Sequence, residues 1–189
     1  MTVFQSIRNG LIPAQLTADD LYALTEAGVL AENENIELID GEVVPMAAAK
    51  ADWHEIMKSR FIRALVPALD DTMRLYAEPT VTLGEKNVVE PDLVVWTKGM
   101  LPRSVRGPDL TLVIEVSDSS LSYDLRVKAP LYAVHGVREY WVVDVVRETV
   151  QVHRAPRAGR YTDVEEHDAD VALMPHLLSG VSIQLDMLD

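Results

Sequence analysis

VEPDLVVWTKGMLPRSVRGPDLTLVIEVSDSSLSYDLRVK, residues Val89–Lys128, holds two short apolar runs with an acid at or inside each. Leu93-Val94-Val95-Trp96 and Leu112-Val113-Ile114-Glu115-Val116 are too short and too continuous for amphipathic helices, and they predict strands covered on both faces. Glu90 and Asp92 stand at the mouth of the first run, and Glu115 interrupts the second. A carboxylate in such a place costs several kcal/mol unless a partner or a metal ion meets it. Lys128 arrives 13 residues after Glu115, on the helix expected next. Two acids and a lysine are therefore delivered by adjacent elements.

The elements around this stretch follow from local signals. Thr17-Ala18-Asp19-Asp20 ahead of Leu21 and Leu24 predicts a short helix capped by Thr17 and closed by Gly28. Asp40-Gly41 between Ile36–Ile39 and Glu42–Val44 predicts a hairpin, with Glu37 sharing a face with Ile39. From Ala51 to Leu69, Trp53, Ile56, Met57, Phe61, Leu65 and Leu69 recur at helical spacing, as in a helix packed on a sheet. Pro67 is expected to bend or shorten its end, and His54, beside the stripe, reads as structural rather than as a site residue. Further strands are expected at Arg74–Leu83, Val88–Trp96, Thr111–Val116, Arg138–Asp144 and Glu148–Arg154. An acidic edge strand is expected at Arg160–His167 and a last half-buried strand at Gly180–Leu185. Lys98–Asp109 is a loop. A helix over about Tyr123–Val134 ends at Gly136 and is disturbed by Pro130 near Lys128. Tyr132, Tyr140 and Trp141 read as core aromatics and Asp144 as a turn residue.

No repeat or linker divides the chain, so residues 1–189 are expected to form a single α/β domain. At this length roughly 70% of the unfolded surface can be buried. The absence of cysteine excludes disulfides, thiolate metal sites and cysteine nucleophiles. No signal-like start and no apolar run of about 18 residues appears, so a cytoplasmic protein without membrane partners is expected. The net charge of −13 argues against a general polyanion binder. Residues 1–47 and 163–189 each carry −7, however, and residues 48–162 carry +1, so the acids cluster at the ends.

Hydrolysis of a phosphodiester needs charge neutralisation at the phosphate, an activated water and support for the leaving oxygen, all of which a carboxylate-bound divalent metal supplies. Mg²⁺ takes oxygen ligands and keeps several waters, so Asp92, Glu115 and the Val116 carbonyl make a sufficient protein share. Lys128 would position the attacking water or offset developing negative charge.

Pro91-Asp92, then Glu115-Val116-Ser117, then Lys128 resembles the PD-(D/E)XK nuclease signature. Together with Ile36–Glu42, His54, Tyr132 and Gly136–Asp144, the order and spacing are similar to the Uma-type family of restriction endonucleases, over about Thr17 to Arg154. The resemblance implies a restriction-endonuclease-like core: a mixed β-sheet flanked by α-helices, here with an N-terminal helix and β-hairpin. It implies a Mg²⁺- or Mn²⁺-dependent endonuclease acting on nucleic acid, with DNA the expected substrate, and by analogy a homodimer that cuts both strands. Glu37 matches the family's early glutamate, as an additional ligand or a group behind one. The superfamily's lysine usually lies two residues after the second acid, where this chain has Ser117, so Lys128 would be a migrated lysine. The competing reading is a non-catalytic module of the same fold that binds protein or nucleic acid.

Overall fold

The computed structural model describes residues 15–30, 36–46 and 52–189. Its helices are α1 (Ala18–Glu26), α2 (Asp52–Ala68), α3 (Leu121–Tyr123) and α4 (Ala129–Val134), the last two joined by a π-helical turn at Asp124–Lys128. Its strands are β1 (Ile36–Ile39), β2 (Glu42–Pro45), β3 (Met73–Ala77), β4 (Val81–Thr82), β5 (Val88–Val89), β6 (Leu93–Thr97), β7 (Leu112–Ser117), β8 (Glu139–Asp144), β9 (Thr149–Arg157) and β10 (Arg160–Asp168). The chain divides into two compact units, Met1–Ala49 with Thr80–Glu90, and Lys50–Pro79 with Pro91–Asp189. No helix among the described residues is long and apolar enough to cross a membrane.

In the first unit α1 begins with a capping box: the Asp20 amide donates to Thr17 Oγ1 at 3.1 Å, and the Thr17 amide donates to Asp20 Oδ2 at 2.9 Å. The β1–β2 hairpin turns through Asp40 (φ 50°) and Gly41 (φ 85°), the paired positive φ that a two-residue loop requires. Asn87 Oδ1 accepts the Asp40 amide at 2.7 Å and fixes that turn. The resulting sheet has the order β2-β1-β5-β4, and Leu38 packs with Ala18, Leu21, Leu30 and Val88.

In the second unit the order is β10-β9-β8-β7-β6-β3, antiparallel except for the parallel β7–β8 pair. A parallel pair needs a crossover, which the α3–α4 segment supplies. On one face of the sheet Met57, Phe61 and Leu65 of α2 pack against Leu93, Val95, Leu112, Ile114 and Val116. Tyr132 on α4 packs against Tyr140 of β8 at 4.8 Å between ring centroids, on the opposite face. Both apolar runs around the two acids are buried throughout, as expected of doubly covered strands.

Four expectations are corrected. Arg74–Leu83 is not one strand: Glu78 adopts φ 49° ahead of Pro79, so β3 and β4 enter different sheets. Val88–Trp96 is likewise broken at Glu90-Pro91-Asp92, where Pro91 has no N–H for a ladder, leaving β5 and β6 in different sheets. Gly180–Leu185 forms no strand; Ile183 makes only an isolated bridge with Leu173, although Val181, Ile183 and Leu185 are buried in alternation. Finally, Trp53 and Ile56 do not join the buried stripe of α2, being 63% and 40% exposed. Steps of three and four fit two adjoining helix faces, and Met57, Phe61 and Leu65, with Ile62, Ala64 and Leu69 beside them, lie on the one that meets the sheet.

The expected disturbance at Pro130 takes a definite form. Pro130 cannot donate to the Arg126 carbonyl, and the chain widens just before it into the π turn, where the Ala129 amide bonds the Asp124 carbonyl.

Candidate active site

Leu93 pairs with Ile114 in the antiparallel β6–β7 ladder, so Asp92 and Glu115 come next across it. The Asp92 amide donates to Glu115 Oε2 at 3.3 Å, and the Val116 amide donates to Asp92 Oδ2 at 2.9 Å. Asp92 Oδ1 lies 3.0 Å from His54 Nε2 at the start of α2, whose Nδ1 lies 3.2 Å from Glu55 Oε1. On the other acid, Glu115 Oε1 accepts from Lys128 Nζ at 3.0 Å and from the Tyr132 hydroxyl at 3.1 Å. Lys128 and Tyr132 are one helical turn apart, so a single helix face presents both donors. Asp92, Glu115, Lys128 and His54 are all buried.

A second layer of contacts holds the lysine. Ser117, two residues after Glu115, donates its hydroxyl to Asp124 Oδ2 at 2.7 Å, and Ser120 does the same at 2.7 Å. Asp124 Oδ1 lies 4.0 Å from Lys128 Nζ, and the Tyr123 ring is 5.9 Å from the same amine. The end of β7 is thus fastened to the turn that carries Lys128. Burial raises the Asp124 carboxyl above its ordinary range, against the opposing pull of Lys128 and the two serine hydroxyls. The Tyr140 hydroxyl donates to the Asp124 carbonyl at 3.2 Å, and burial followed by the nearby Glu115 and Asp124 charges pushes the phenol well above its ordinary value.

Of the residues singled out from sequence, Asp92, Glu115, Val116 and Lys128 are brought together. Glu37 belongs to the first unit, where it is buried on β1 and its Oε1 accepts the Glu90 amide at 3.1 Å. His54 reads as structural from its place in the sequence, yet it meets Asp92 directly. Ser120 stands out in the sequence only as one of several side chains in Ser117-Asp118-Ser119-Ser120 able to cap the next helix, and the one signal for Asp124 is its place four residues before Lys128, the spacing of a helical ion pair. Tyr132, Tyr140 and Trp141 are buried as expected, and Asp144 accepts the Val146 and Arg147 amides in a turn.

The donor set suits a hard cation. Glu115 and Asp124 lie 3.0 and 4.0 Å from the Lys128 ammonium, with Asp92 buried beside Glu115, and such a gathering of anionic groups is relieved by a positive ion. Among the described residues no group of three or more His, Cys, Asp or Glu side chains is disposed to hold a metal. The side-chain share would be the two carboxylates of Asp92 and Glu115, which matches Mg²⁺ or Mn²⁺ retaining several waters.

The family model described as "Uma2: Putative restriction endonuclease" matches residues 18–187. The chain belongs to this family. A solved structure from Anabaena variabilis ATCC 29413, described as a putative nuclease belonging to DUF820, superposes with a TM-score of 0.73 at 20% identity, covering 92% of this chain and 97% of that one. No curated protein matches. The Uma2 membership and this shared fold together indicate a nuclease of the restriction-endonuclease type, with a mixed α/β architecture.

Proposed function

We propose that this Uma2 protein is a Mg²⁺- or Mn²⁺-dependent endonuclease that hydrolyses phosphodiesters of DNA, with residues 1–189 acting as one nuclease domain. The family match across residues 18–187, which draws on both units, supports treating them as one functional entity. The observation that carries the chemistry is the convergence of Asp92, Glu115 and Lys128, with Lys128 Nζ 3.0 Å from Glu115 Oε1.

Asp92, Glu115 and the Val116 carbonyl would hold the ion, which when bound neutralises phosphate charge and lowers the pKa of a coordinated water. The chain's own groups do the rest. His54 fixes the orientation of the Asp92 carboxylate through the 3.0 Å contact at Oδ1. Tyr132 and Lys128 orient Glu115, and the Lys128 ammonium aligns the attacking water and offsets charge developing on the phosphoryl oxygens. Asp124, held by Ser117 and Ser120, keeps that ammonium from turning away.

The test is nicking of supercoiled plasmid with Mg²⁺ or Mn²⁺ by the wild type, Glu115→Gln and Lys128→Ala. Nicking by the wild type alone is expected. Equal activity in the variants would remove the site, and no cleavage by any of them with retained binding would favour the non-catalytic module.

A further inference from the structure

α2 carries a second face that the core does not use. Trp53, Ile56, Arg60 and Arg63 follow steps of three and four, so they form one stripe about 15 Å long beside the buried row of Met57, Phe61 and Leu65. Trp53 is 63% exposed and Ile56 40% exposed, while Trp96 and Trp141 are fully buried. Arg63 is exposed and Arg60 partly so, and neither has an ion-pair partner among the described residues. Of the two acids of this helix, Glu55 turns to Lys58 and His54, and exposed Asp52, four residues before Ile56, stands at the very start of the stripe and leaves its Arg60–Arg63 end basic. His54, which touches Asp92, is the next residue after Trp53, so the stripe starts at the edge of the candidate site.

A large aromatic surface left in water beside two unpaired guanidinium groups is the combination that binds unpaired bases and their phosphates. A flat indole offers a stacking platform to any base, and arginines follow the backbone. A closed duplex presents phosphates but no base face, so it would use the arginines and leave the indole idle. We propose that the Trp53–Ile56–Arg60–Arg63 stripe is a binding track for single-stranded nucleic acid, or for an unpaired segment within a duplex, which leads the strand to the Asp92–Glu115–Lys128 site. This inference rests on the nuclease reading and names its substrate class.

Because Trp53 is the sole exposed tryptophan, its fluorescence reports the contact directly. The full chain is titrated, in EDTA so that cleavage does not intervene, with a thymidine oligonucleotide and with a duplex of equal length. Saturable quenching by the single strand is expected, with weaker quenching by the duplex. Trp53→Phe should retain part of the affinity, and Trp53→Ala should lose about tenfold or more, measured by anisotropy of a labelled strand. Arg60→Gln with Arg63→Gln should flatten the slope of log affinity against log salt by about 1.4. Unchanged affinity of Trp53→Ala, or binding without quenching, overturns the track. So does a Trp53→Ala change that alters only self-association in sedimentation, which would make the stripe a face between copies. Mg²⁺-dependent nicking by the same wild-type preparation separates the two readings: nicking with Trp53-independent binding sinks only the track, and Trp53-dependent binding without nicking sinks only the nuclease.

Discussion

Two glutamates are buried in the middle of the same six-stranded sheet, Glu115 on β7 and Glu139 on β8, and their surroundings differ in kind. Glu139 Oε1 accepts from Trp141 Nε1 at 2.9 Å and from Arg154 Nε and Nη2 at 3.0 and 2.7 Å. Its other oxygen accepts the His176 amide at 2.8 Å, and Arg154 continues to the Met174 carbonyl at 3.0 Å. One anion thus meets one guanidinium and two N–H donors, and the network ties the segment after β10 to the sheet. Glu115 meets the Lys128 ammonium and the Tyr132 hydroxyl, with Asp92 and Asp124 close by. A buried acid is therefore not in itself a sign of chemistry. The sign is a buried acid whose neighbours leave negative charge in excess, and of the two only Glu115 has that.

The widest separation between the two should be in catalysis. Glu115→Gln is expected to lower plasmid nicking by about 10³-fold, with Lys128→Ala close behind, while Glu139→Gln leaves the rate per folded molecule within a few-fold. A rate loss at Glu139 as deep as at Glu115 would erase the distinction. Stability should reverse the order: Glu139→Ala strands the Arg154 guanidinium and is expected to cost about 3–5 kcal/mol in urea unfolding. Glu115→Gln, which relieves crowding among acids, should cost far less.

Divalent ions sharpen the contrast next. At 100 times its Kd, Mn²⁺ should stabilise the wild type by about 2.7 kcal/mol, seen as a rise in Tm. Asp92→Asn and Glu115→Gln should abolish that rise, whereas Glu139→Gln should keep it. A shift that survives Asp92→Asn would locate the ion elsewhere.

The contrast between the two glutamates also marks how far the amino-acid sequence can be read unaided, and the reasons are local. An acid inside Leu112–Val116 contradicts its own neighbours, so Glu115 declares itself, and the hairpin and capping box are written in two or four adjacent residues. Glu139 gives no such signal because it begins its strand, where an acid is unremarkable unless Arg154 is known to reach it. The strands split at Glu78-Pro79 and at Glu90-Pro91 because a positive φ and a missing N–H redirect the chain, while apolar content on either side stays continuous. His54 and Trp53 trade their expected places, the histidine inward and the indole outward, because spacing gives the faces of α2 but not which face meets the sheet. Asp124 is the least visible, since its partners Ser117 and Ser120 depend on a π turn that no periodicity announces.

Asp124 provides the finest test of what sets the Glu115 region apart. Burial raises its carboxyl in the folded chain, so the folded state holds the proton more tightly than the unfolded one. The sign follows by linkage: the stabilising contribution of the protonated acid is complete below the unfolded value of 3.8 and is lost as pH rises through the higher folded value. Asp124→Asn removes this dependence while keeping a group that can accept from Ser117 and Ser120. The variant should gain on the wild type between acid and neutral pH, with a difference in Tm of no more than about 4 °C. Nicking should fall by roughly tenfold, since the Lys128 ammonium loses an anchor but not its partner Glu115. A variant that loses ground as pH rises would mean that Asp124 is stabilised as the anion by Lys128, which would leave Asp92 and Glu115 to be offset without that lysine's full charge.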